Sequence, residues 1–163
     1  MRVALGADHA GFQLKEEVKR YLAAHQVPFE DFGTDSTTSV DYPDYAARVA
    51  KAVASREFDR GILVCGTGIG MAIAANKFAG IRAAPVLDLE SARLSREHND
   101  INILALAGRL TQADLAREVV RIFLETPFAG DRHRRRIDKI SSLESSADRA
   151  PSSGGTAPAR AGS

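Results

Sequence analysis

The sequence contains a single cysteine in 163 residues and no tryptophan. One cysteine cannot form a disulfide within the chain or supply a thiolate cluster, so we expect a reducing compartment and no metal site. The chain also lacks an excess of either charge, with 22 Lys and Arg against 21 Asp and Glu. This balance gives no support for a nucleic acid or a membrane surface as the partner.

Long hydrophobic runs are missing as well. No stretch approaches the roughly 20 apolar residues of a membrane span, and Asp8 interrupts the start of the chain before a signal-peptide core could form. We therefore expect a cytoplasmic protein with no membrane or nucleic-acid partner, whose ligand is a small molecule.

The chain does contain enough apolar residues, 44%, to bury one core, so we expect one domain. Short apolar and β-branched runs alternate with stretches of helical period, which favours a parallel sheet with right-handed crossovers. We predict a Rossmann-like three-layer α/β/α sandwich with a five-stranded parallel sheet, in which ligands bind at the carboxyl ends of the strands. The five predicted strands cover residues 2–7, 28–32, 60–65, 81–86 and 102–107.

Several residues mark predicted helix starts. Pro43 suits a first helical position, and Asp88 suits an N-cap. Thr111 with Asp114 resembles a capping box that would open the helix after the fifth strand.

The end of the chain changes character. A basic run, DRHRRR, precedes Ile137, Ile140 and Leu143, whose spacing predicts a C-terminal helix with an apolar stripe that could pack on a partner subunit. The segment 147–163 is rich in Ala, Ser, Gly and Pro without periodicity, so we predict a disordered tail there and an ordered domain over residues 1–146.

The first predicted strand ends in GADHAGF, which places Asp8 and His9 where a doubly wound sheet presents groups to a ligand. Both residues are therefore candidates for the functional site. An equally good alternative is that Asp8 caps the following helix and His9 is an ordinary loop histidine.

The third predicted strand runs directly into GTGIG, so Cys65 lies at a strand end beside a glycine-rich turn. Glycines let the backbone approach a ligand closely, and the N–H groups of such a turn form a preorganised anion site. The same N–H groups favour a thiolate, which can act as a base or a nucleophile. A lone buried cysteine is more often a small core residue, and only its position beside the turn favours a function.

A rival interpretation takes GTGIG as a dinucleotide-binding turn. Asp88 follows Gly70 by about the distance expected for an acid that binds the ribose of a nicotinamide cofactor. The glycine spacing of that fingerprint is not met, because position 71 is Met, and the turn follows the third strand instead of the first. A nicotinamide-dependent oxidoreductase remains as an alternative.

Two further clusters carry titratable or basic side chains. The segment REHNDIN predicts that His98 and Asn99 lie in the turn before the fifth strand, where a histidine can equally satisfy the last carbonyls of a helix. Arg132 and Arg136 are four residues apart and share one face at the start of the final helix. Positive charge is unfavourable at that helix end, so the pair suits a bound anion, although a solvated basic face would have the same pattern.

Five segments, taken in order, resemble the ribose-5-phosphate isomerase B and galactose-6-phosphate isomerase family. They are GADHAGF, DYPDYA, ILVCGTGIGMAIAANKFAGIRA, SREHNDINILALAGR and RHRRRI, and together they cover roughly residues 2–143. The resemblance implies an aldose–ketose isomerisation through an enediolate, without metal or cofactor. It also implies a homodimer or homotetramer whose active sites lie at the subunit interface.

The resemblance assigns catalytic roles residue by residue. Cys65 matches the base that moves a proton between adjacent sugar carbons, and His98 matches the acid that assists ring opening. Thr67 and the backbone of the glycine turn would stabilise the enediolate oxygen as an oxyanion hole; this turn comprises Gly66, Thr67, Gly68, Ile69 and Gly70. Some family members use a glutamate directly after the turn as base, and here that position is Met71, so the cysteine branch is the one matched.

The resemblance also assigns substrate binding. Asp8 matches a residue that holds sugar hydroxyls, and Asn99 lies beside the ring-opening histidine. The phosphate-binding positions are matched by His9, Arg109, Arg132 and Arg136. The expected substrates are ribose 5-phosphate and ribulose 5-phosphate, as in the pentose phosphate pathway, with allose 6-phosphate and galactose 6-phosphate as alternatives. A non-catalytic sugar-phosphate sensor that uses the same pocket is a further alternative.

Overall fold

A parallel sheet of five strands, in the order β2-β1-β3-β5-β4, forms the centre of the molecule. The computed structural model describes residues 1–147. The strands are β1 Val3–Ala7, β2 Phe29–Asp31, β3 Arg60–Cys65, β4 Ala83–Pro85 and β5 Ile103–Ala107. The five predicted strands and the fold class are confirmed, and the strands other than β3 are one to three residues shorter than predicted.

Helices cover both faces of this sheet. They are α1 Phe12–Ala24, α2 Tyr42–Ala54, α3 Ile69–Ala75, α4 Leu89–Asn99, α5 Ala113–Glu125 and α6 Asp131–Ala147. Successive residues of a strand point to opposite faces. Leu5, Ile62 and Val64 accordingly pack with α1, α4 and α5, whereas Ala4 and Leu63 pack with α2 and α3. The sandwich therefore has one apolar core on each side of the sheet.

One of the two predicted helix caps is present in the structure and the other is not. Asp88 is the N-cap of α4 and accepts a hydrogen bond from the backbone N–H of Ser91 at 2.8 Å, as predicted. The capping box was wrong, because the backbone N–H of Thr111 donates to the Ala107 carbonyl and holds Thr111 in the turn after β5. Gln112 is the N-cap of α5 instead, without a side-chain cap.

Two boundaries also moved. Pro43 is the second residue of α2, because Tyr42 begins that helix. The predicted tail, 147–163, lies outside the described residues except for Ala147, which is the last residue of α6. Within the described part of the chain, no helix is long and apolar enough to cross a bilayer.

The strand order creates a switch point between β1 and β3. The chain leaves β1 through α1 on one face towards β2, and it leaves β3 through α3 on the other face towards β4. Diverging connections of this kind open a crevice at the carboxyl ends of the two strands. The ends of β1 and β3 carry Asp8 and Cys65, so the topology brings these two candidates to one crevice.

Candidate active site

Three loops meet at the carboxyl edge of the sheet and form the floor of a cleft. The loop after β1 is tied to β3, because the Asp8 N–H donates to the Val64 carbonyl at 3.2 Å. The loop after β5 is tied to the same strand, because the Gly108 N–H donates to the Cys65 carbonyl at 2.7 Å. A side chain at Gly11 would collide with the backbone of Val64, so glycine is needed there for the close approach of the loops.

The cleft has a volume of about 460 Å³, which is in the range of small-molecule sites. Its lining brings together most of the site residues predicted at the ends of β1, β3 and β5. The lining residues are Asp8, His9, Ala10, Tyr42, Cys65, Gly66, Thr67, Ile69, Gly70, Ile73 and Arg109.

Cys65 is the last residue of β3 and is 5% exposed, so its sulfur lies at the buried end of the cleft. Its Sγ accepts a hydrogen bond from the backbone N–H of Gly68 at 3.2 Å. Gly68 has a φ of 76°, a left-handed conformation that glycine adopts without strain and that turns this N–H towards the sulfur. Negative charge on an acceptor strengthens a hydrogen bond of this kind.

Thr67 and Arg109 flank the cysteine on the exposed side of the cleft. The Thr67 Oγ1 accepts a long hydrogen bond of 3.4 Å from the Ile69 N–H, which leaves its hydroxyl hydrogen free to donate. Arg109 is fixed through its backbone, whose N–H donates to the Gly66 carbonyl at 3.1 Å. The guanidinium therefore stands beside the glycine turn as a cation at the mouth of the cleft.

Asp8 is 6% exposed and shapes the loop that carries it. Its Oδ1 accepts hydrogen bonds from the backbone N–H groups of Ala10 at 3.0 Å and Gly11 at 2.9 Å. The alternative interpretation was partly correct, since Asp8 holds the turn before α1, but the N-cap of α1 is Gly11. The second carboxylate oxygen has no partner among the described residues and can accept from a ligand hydroxyl.

His9 is oriented by the loop that follows β2. Its Nδ1 accepts a hydrogen bond from the backbone N–H of Val40 at 3.2 Å. A ring nitrogen that accepts carries no hydrogen, so this contact assigns the hydrogen of the neutral ring to Nε2. His9 therefore offers an N–H donor to the cleft.

The remaining predicted site residues are not in this cleft. His98 and Asn99 are the last two residues of α4, and the chain then enters β5 at its amino end. Cys65 pairs with Ala107 at the other end of β5, so the sheet separates His98 from Cys65 by about five residues of strand, roughly 16 Å. The predicted turn begins two residues later than expected, because α4 continues through Asn99 and its C-cap is Asp100.

Arg132 and Arg136 are exposed on α6, close to His98. His133, on the same helix, stacks on the His98 ring with centroids 4.2 Å apart and planes 9° from parallel. Burial of His133, together with the positive charge of Arg132 and Arg136 and the neighbouring His98, lowers the pKa of His133 below its ordinary value. The second half of the predicted site is thus a basic group at the amino edge of the sheet.

Comparison of the chain with known proteins identifies one family. Residues 3–140 match the family described as Ribose/Galactose Isomerase. The chain belongs to the ribose/galactose isomerase family. It is 48% identical to ribose-5-phosphate isomerase B of Escherichia coli K12 over 143 residues, which is 88% of this chain and 96% of that protein.

Solved structures of relatives have the same fold. The ribose-5-phosphate isomerase B of Clostridium thermocellum superposes with a TM-score of 0.89 at 48% identity, covering 90% of this chain and 99% of that one. The enzyme from Thermotoga maritima gives a TM-score of 0.85 at 55% identity, covering 86% and 97%. The ribose/galactose isomerase fold therefore spans nearly all the described residues.

Tyr42 and Ile73 line the cleft but were not singled out as site residues from the sequence. The Tyr42 ring lies over Gly70, where a Cβ would come within 2.8 Å of the Tyr42 Cζ. Tyr42 lies far from any strand end, so strand positions could not identify it. The only signal in the sequence was its place in the family segment DYPDYA. Ile73 follows Ile69 by one helical turn on the exposed side of α3, and only the structure shows which face of this short helix borders the cleft.

Two alternatives from the sequence lose support in this family fold. The Asp88 carboxylate is engaged as the cap of α4, with one oxygen on the Ser91 N–H and the other 2.8 Å from the Ser91 hydroxyl. It is therefore not free to bind a cofactor ribose. Met71, which occupies the position of the glutamate base of some family members, is fully buried in the core beside α2.

Proposed function

We propose that this protein interconverts ribose 5-phosphate and ribulose 5-phosphate through an enediolate, with Cys65 as the base. The single observation that carries the proposal is the Cys65 sulfur, which lies at the buried end of a cleft and faces the N–H of Gly68. The same cleft offers His9 and Arg109 as donors for a phosphate. Three relatives that are 48% to 55% identical to this chain carry the name ribose-5-phosphate isomerase B.

The chemistry needs a base, a stabilised oxyanion and a fixed substrate. The Cys65 thiolate takes the proton from C2 of the open-chain aldose, and the electron pair of that bond moves towards the carbonyl oxygen at C1. In the resulting enediolate the hydroxyl proton passes from O2 to O1. The Cys65 thiol then returns the same carbon-bound proton, or one exchanged from water, to C1 as the C2 carbonyl forms. The step is balanced within the sugar, because C1 is reduced as C2 is oxidised.

The glycine turn stabilises the oxygen on which negative charge develops. Hydrogen-bond donors that are already oriented before the reaction need no reorganisation in the transition state. Removing one such donor typically lowers kcat about 100- to 1,000-fold. The available donors are the Thr67 hydroxyl and the backbone N–H groups of the turn other than those of Gly68 and Ile69, which already donate to the Cys65 sulfur and the Thr67 Oγ1. Asp8 holds a sugar hydroxyl through its unbonded oxygen.

Turnover measured on three sugar phosphates tests the substrate. We expect kcat/KM to be highest for ribose 5-phosphate, and lower for allose 6-phosphate and galactose 6-phosphate. A higher value for either hexose phosphate would transfer the proposal to that substrate. Absence of turnover on all three, with a melting temperature raised by NADH but not by pentose phosphates, would contradict the isomerase and favour the oxidoreductase alternative.

We also propose that each active site contains residues of two chains. His98, Arg132 and Arg136 are about the length of a strand away from Cys65 of the same chain, which is farther than one pentose phosphate reaches. Ile69 and Ile73, which border the cleft, are 54% and 58% exposed in the single chain. Apolar side chains of this size at the rim of a site favour burial by a partner surface.

Mixing two inactive variants tests this arrangement. Cys65→Ala and Arg136→Ala protein are co-refolded, so that chains exchange at random. If the two residues act on the same site from different chains, about one quarter of the sites regain both residues, because half of the dimers are mixed and each has one intact site. If each chain supplies both residues to its own site, the mixture stays as inactive as the separate variants.

A further inference from the structure

A second cavity, of about 440 Å³, opens at the amino edge of the sheet. Its walls are the end of α2, the start of β3 and the segments that lead into β4 and β5. Three arginines border it: Arg56 after α2, Arg60 at the first position of β3 and Arg82 before β4. None of these residues belongs to the cleft that contains Cys65.

Arg60 is half-buried and incompletely bonded. Its Nη1 donates to the Asp59 carbonyl at 3.1 Å, whereas its Nε is buried without a hydrogen-bond partner among the described residues. Burial, followed by the positive charges of Arg96 and Arg82, lowers the pKa of Arg60 against the opposing effect of two nearby carboxylates. A guanidinium in this setting is stabilised by an anion.

Two carboxylates lie near this cavity, and one of them, Asp59, belongs to its lining. The Asp59 Oδ2 accepts from the backbone N–H of Arg2 at 2.6 Å. Asp100 pairs with Arg82 at 2.9 Å through one oxygen and with Arg96 at 2.7 Å through the other. Among the described residues, neither Arg56 nor Arg60 has a carboxylate within 4.0 Å, so the cavity retains a positive charge.

We propose that this cavity binds a phosphate group, either inorganic phosphate or the phosphate of a small metabolite, between Arg56 and Arg60 with Arg82 at its side. Guanidinium forks match phosphate oxygens in pairs, which an ammonium or a lone N–H cannot do. The volume suffices for a phosphorylated metabolite as well as for the free ion.

The cavity and the cleft of the same chain are separate sites. Arg60 is the first residue of β3 and Cys65 is the last, so the two lie at opposite ends of a six-residue strand. A ligand in the cavity therefore cannot contact the sulfur of its own chain. Its binding is independent of the proposed isomerase reaction, and it can be measured in a protein whose active site has lost phosphate contacts.

The experiment uses Arg109→Ala/Arg136→Ala protein, which lacks two of the four proposed phosphate contacts of the active site. Inorganic phosphate and ribose 5-phosphate are titrated separately by calorimetry, with ionic strength held constant by chloride. We expect one phosphate to bind per chain, and Arg56→Gln or Arg60→Gln in this background to weaken it at least tenfold. Tighter binding of ribose 5-phosphate than of inorganic phosphate would identify a metabolite as the ligand, and the reverse would identify the free ion.

The matched control is Arg20→Gln, which removes the same charge from a 67% exposed arginine on α1 and should leave phosphate binding unchanged. Since Arg60 is half-buried and its variant could lose stability, Arg56→Gln, at an exposed position, serves as the independent test. Equal phosphate affinity in Arg56→Gln, Arg60→Gln and Arg20→Gln protein would overturn the proposal. The proposal would also be overturned if the Arg109→Ala/Arg136→Ala protein bound no phosphate and Arg56→Gln formed a smaller oligomer. The arginines would then pair with acidic side chains of a second copy.

Discussion

Adding one methyl group at Gly108 should separate the loops that form the active-site cleft. A Cβ at this position would lie 2.7 Å from the carbonyl oxygen of Ala10 and 3.0 Å from the Cα of Gly11. The first distance is about 0.7 Å short of the 3.4 Å at which ordinary contact begins, and both neighbours are backbone atoms that cannot rotate away. Gly108→Ala must therefore push the loop that carries Asp8 and His9 away from Cys65.

The size of the effect follows from this displacement. Overpacking of this kind costs about 1 to 3 kcal/mol, which lowers the melting temperature of a chain of this length by roughly 2 to 12 °C. A misplacement of about 1 Å can cost about 100-fold in rate, so we expect kcat/KM to fall roughly ten- to hundredfold. The assay is the formation of ribulose 5-phosphate at a temperature well below the melting transition, where unfolded protein does not contribute.

Gly61→Ala is the matched control. Its Cβ would lie 2.8 Å from a Val49 methyl group and 2.9 Å from Ile103, inside the core and away from the cleft. This variant should lose a similar amount of stability and keep the kcat/KM of the wild type per folded molecule. If Gly108→Ala and Gly61→Ala reduce kcat/KM equally, the loss reflects general destabilisation, and the argument from loop separation is refuted.

Three further variants test the side chains. Cys65→Ser should lower kcat about 100- to 10,000-fold with little change in melting temperature, because a serine oxygen still accepts from the Gly68 N–H but is a poor base; near-normal turnover would exclude the mechanism. His98→Ala should impair conversion of cyclic ribose 5-phosphate more than that of an analogue that cannot cyclise, and equal impairment would exclude a ring-opening role. Burial raises the pKa of Asp31, but hydrogen bonds from Lys15 and Lys19 lower it by a larger amount. The pKa of Asp31 in the folded protein is therefore below its ordinary value. Its contribution to stability is present above the unfolded pKa and lost as the pH falls through the folded one, so melting temperatures between about pH 5 and 3 should fall more for the wild type than for Asp31→Asn.

The central part of the fold was predictable because each central strand is a compact apolar run ended by a turn. β3 begins and ends at the predicted residues, and β5 lacks only the first one. The edge strands β2 and β4 are shorter than their apolar runs suggest, because each pairs with one neighbour only. At the end of β4, Pro85 also lacks the N–H that would continue the ladder.

The site was predictable where the topology alone determines it. Parallel strands carry their carboxyl ends to one edge, so Asp8, Cys65 and Arg109 had to meet once β1, β3 and β5 were recognised. Tyr42 escaped this reasoning, because it begins a helix and reaches the cleft only through the packing of α2 on α3. His98 was associated with the site by family resemblance, whereas strand order places it at the other edge.

A movement within one chain cannot bring His98 to Cys65. β3 and β5 pair continuously from Gly61 with Ile103 to Cys65 with Ala107, so neither strand can slide without breaking the centre of the sheet. The helix that carries His98 is equally fixed, because Arg96 is 2% exposed and donates to the carbonyl of Ile101 at 2.5 Å.

The remaining route for a ring-opening role is a second chain. If His98 acts from a partner, a chain diluted until its oligomer dissociates still has the cysteine, the glycine turn and Arg109 in place, yet it lacks the group that opens the sugar ring. Specific activity on cyclic ribose 5-phosphate should then fall in parallel with dissociation, as measured by sizing at the same concentrations. An acyclic analogue should be affected less, since its conversion omits the step assigned to the partner.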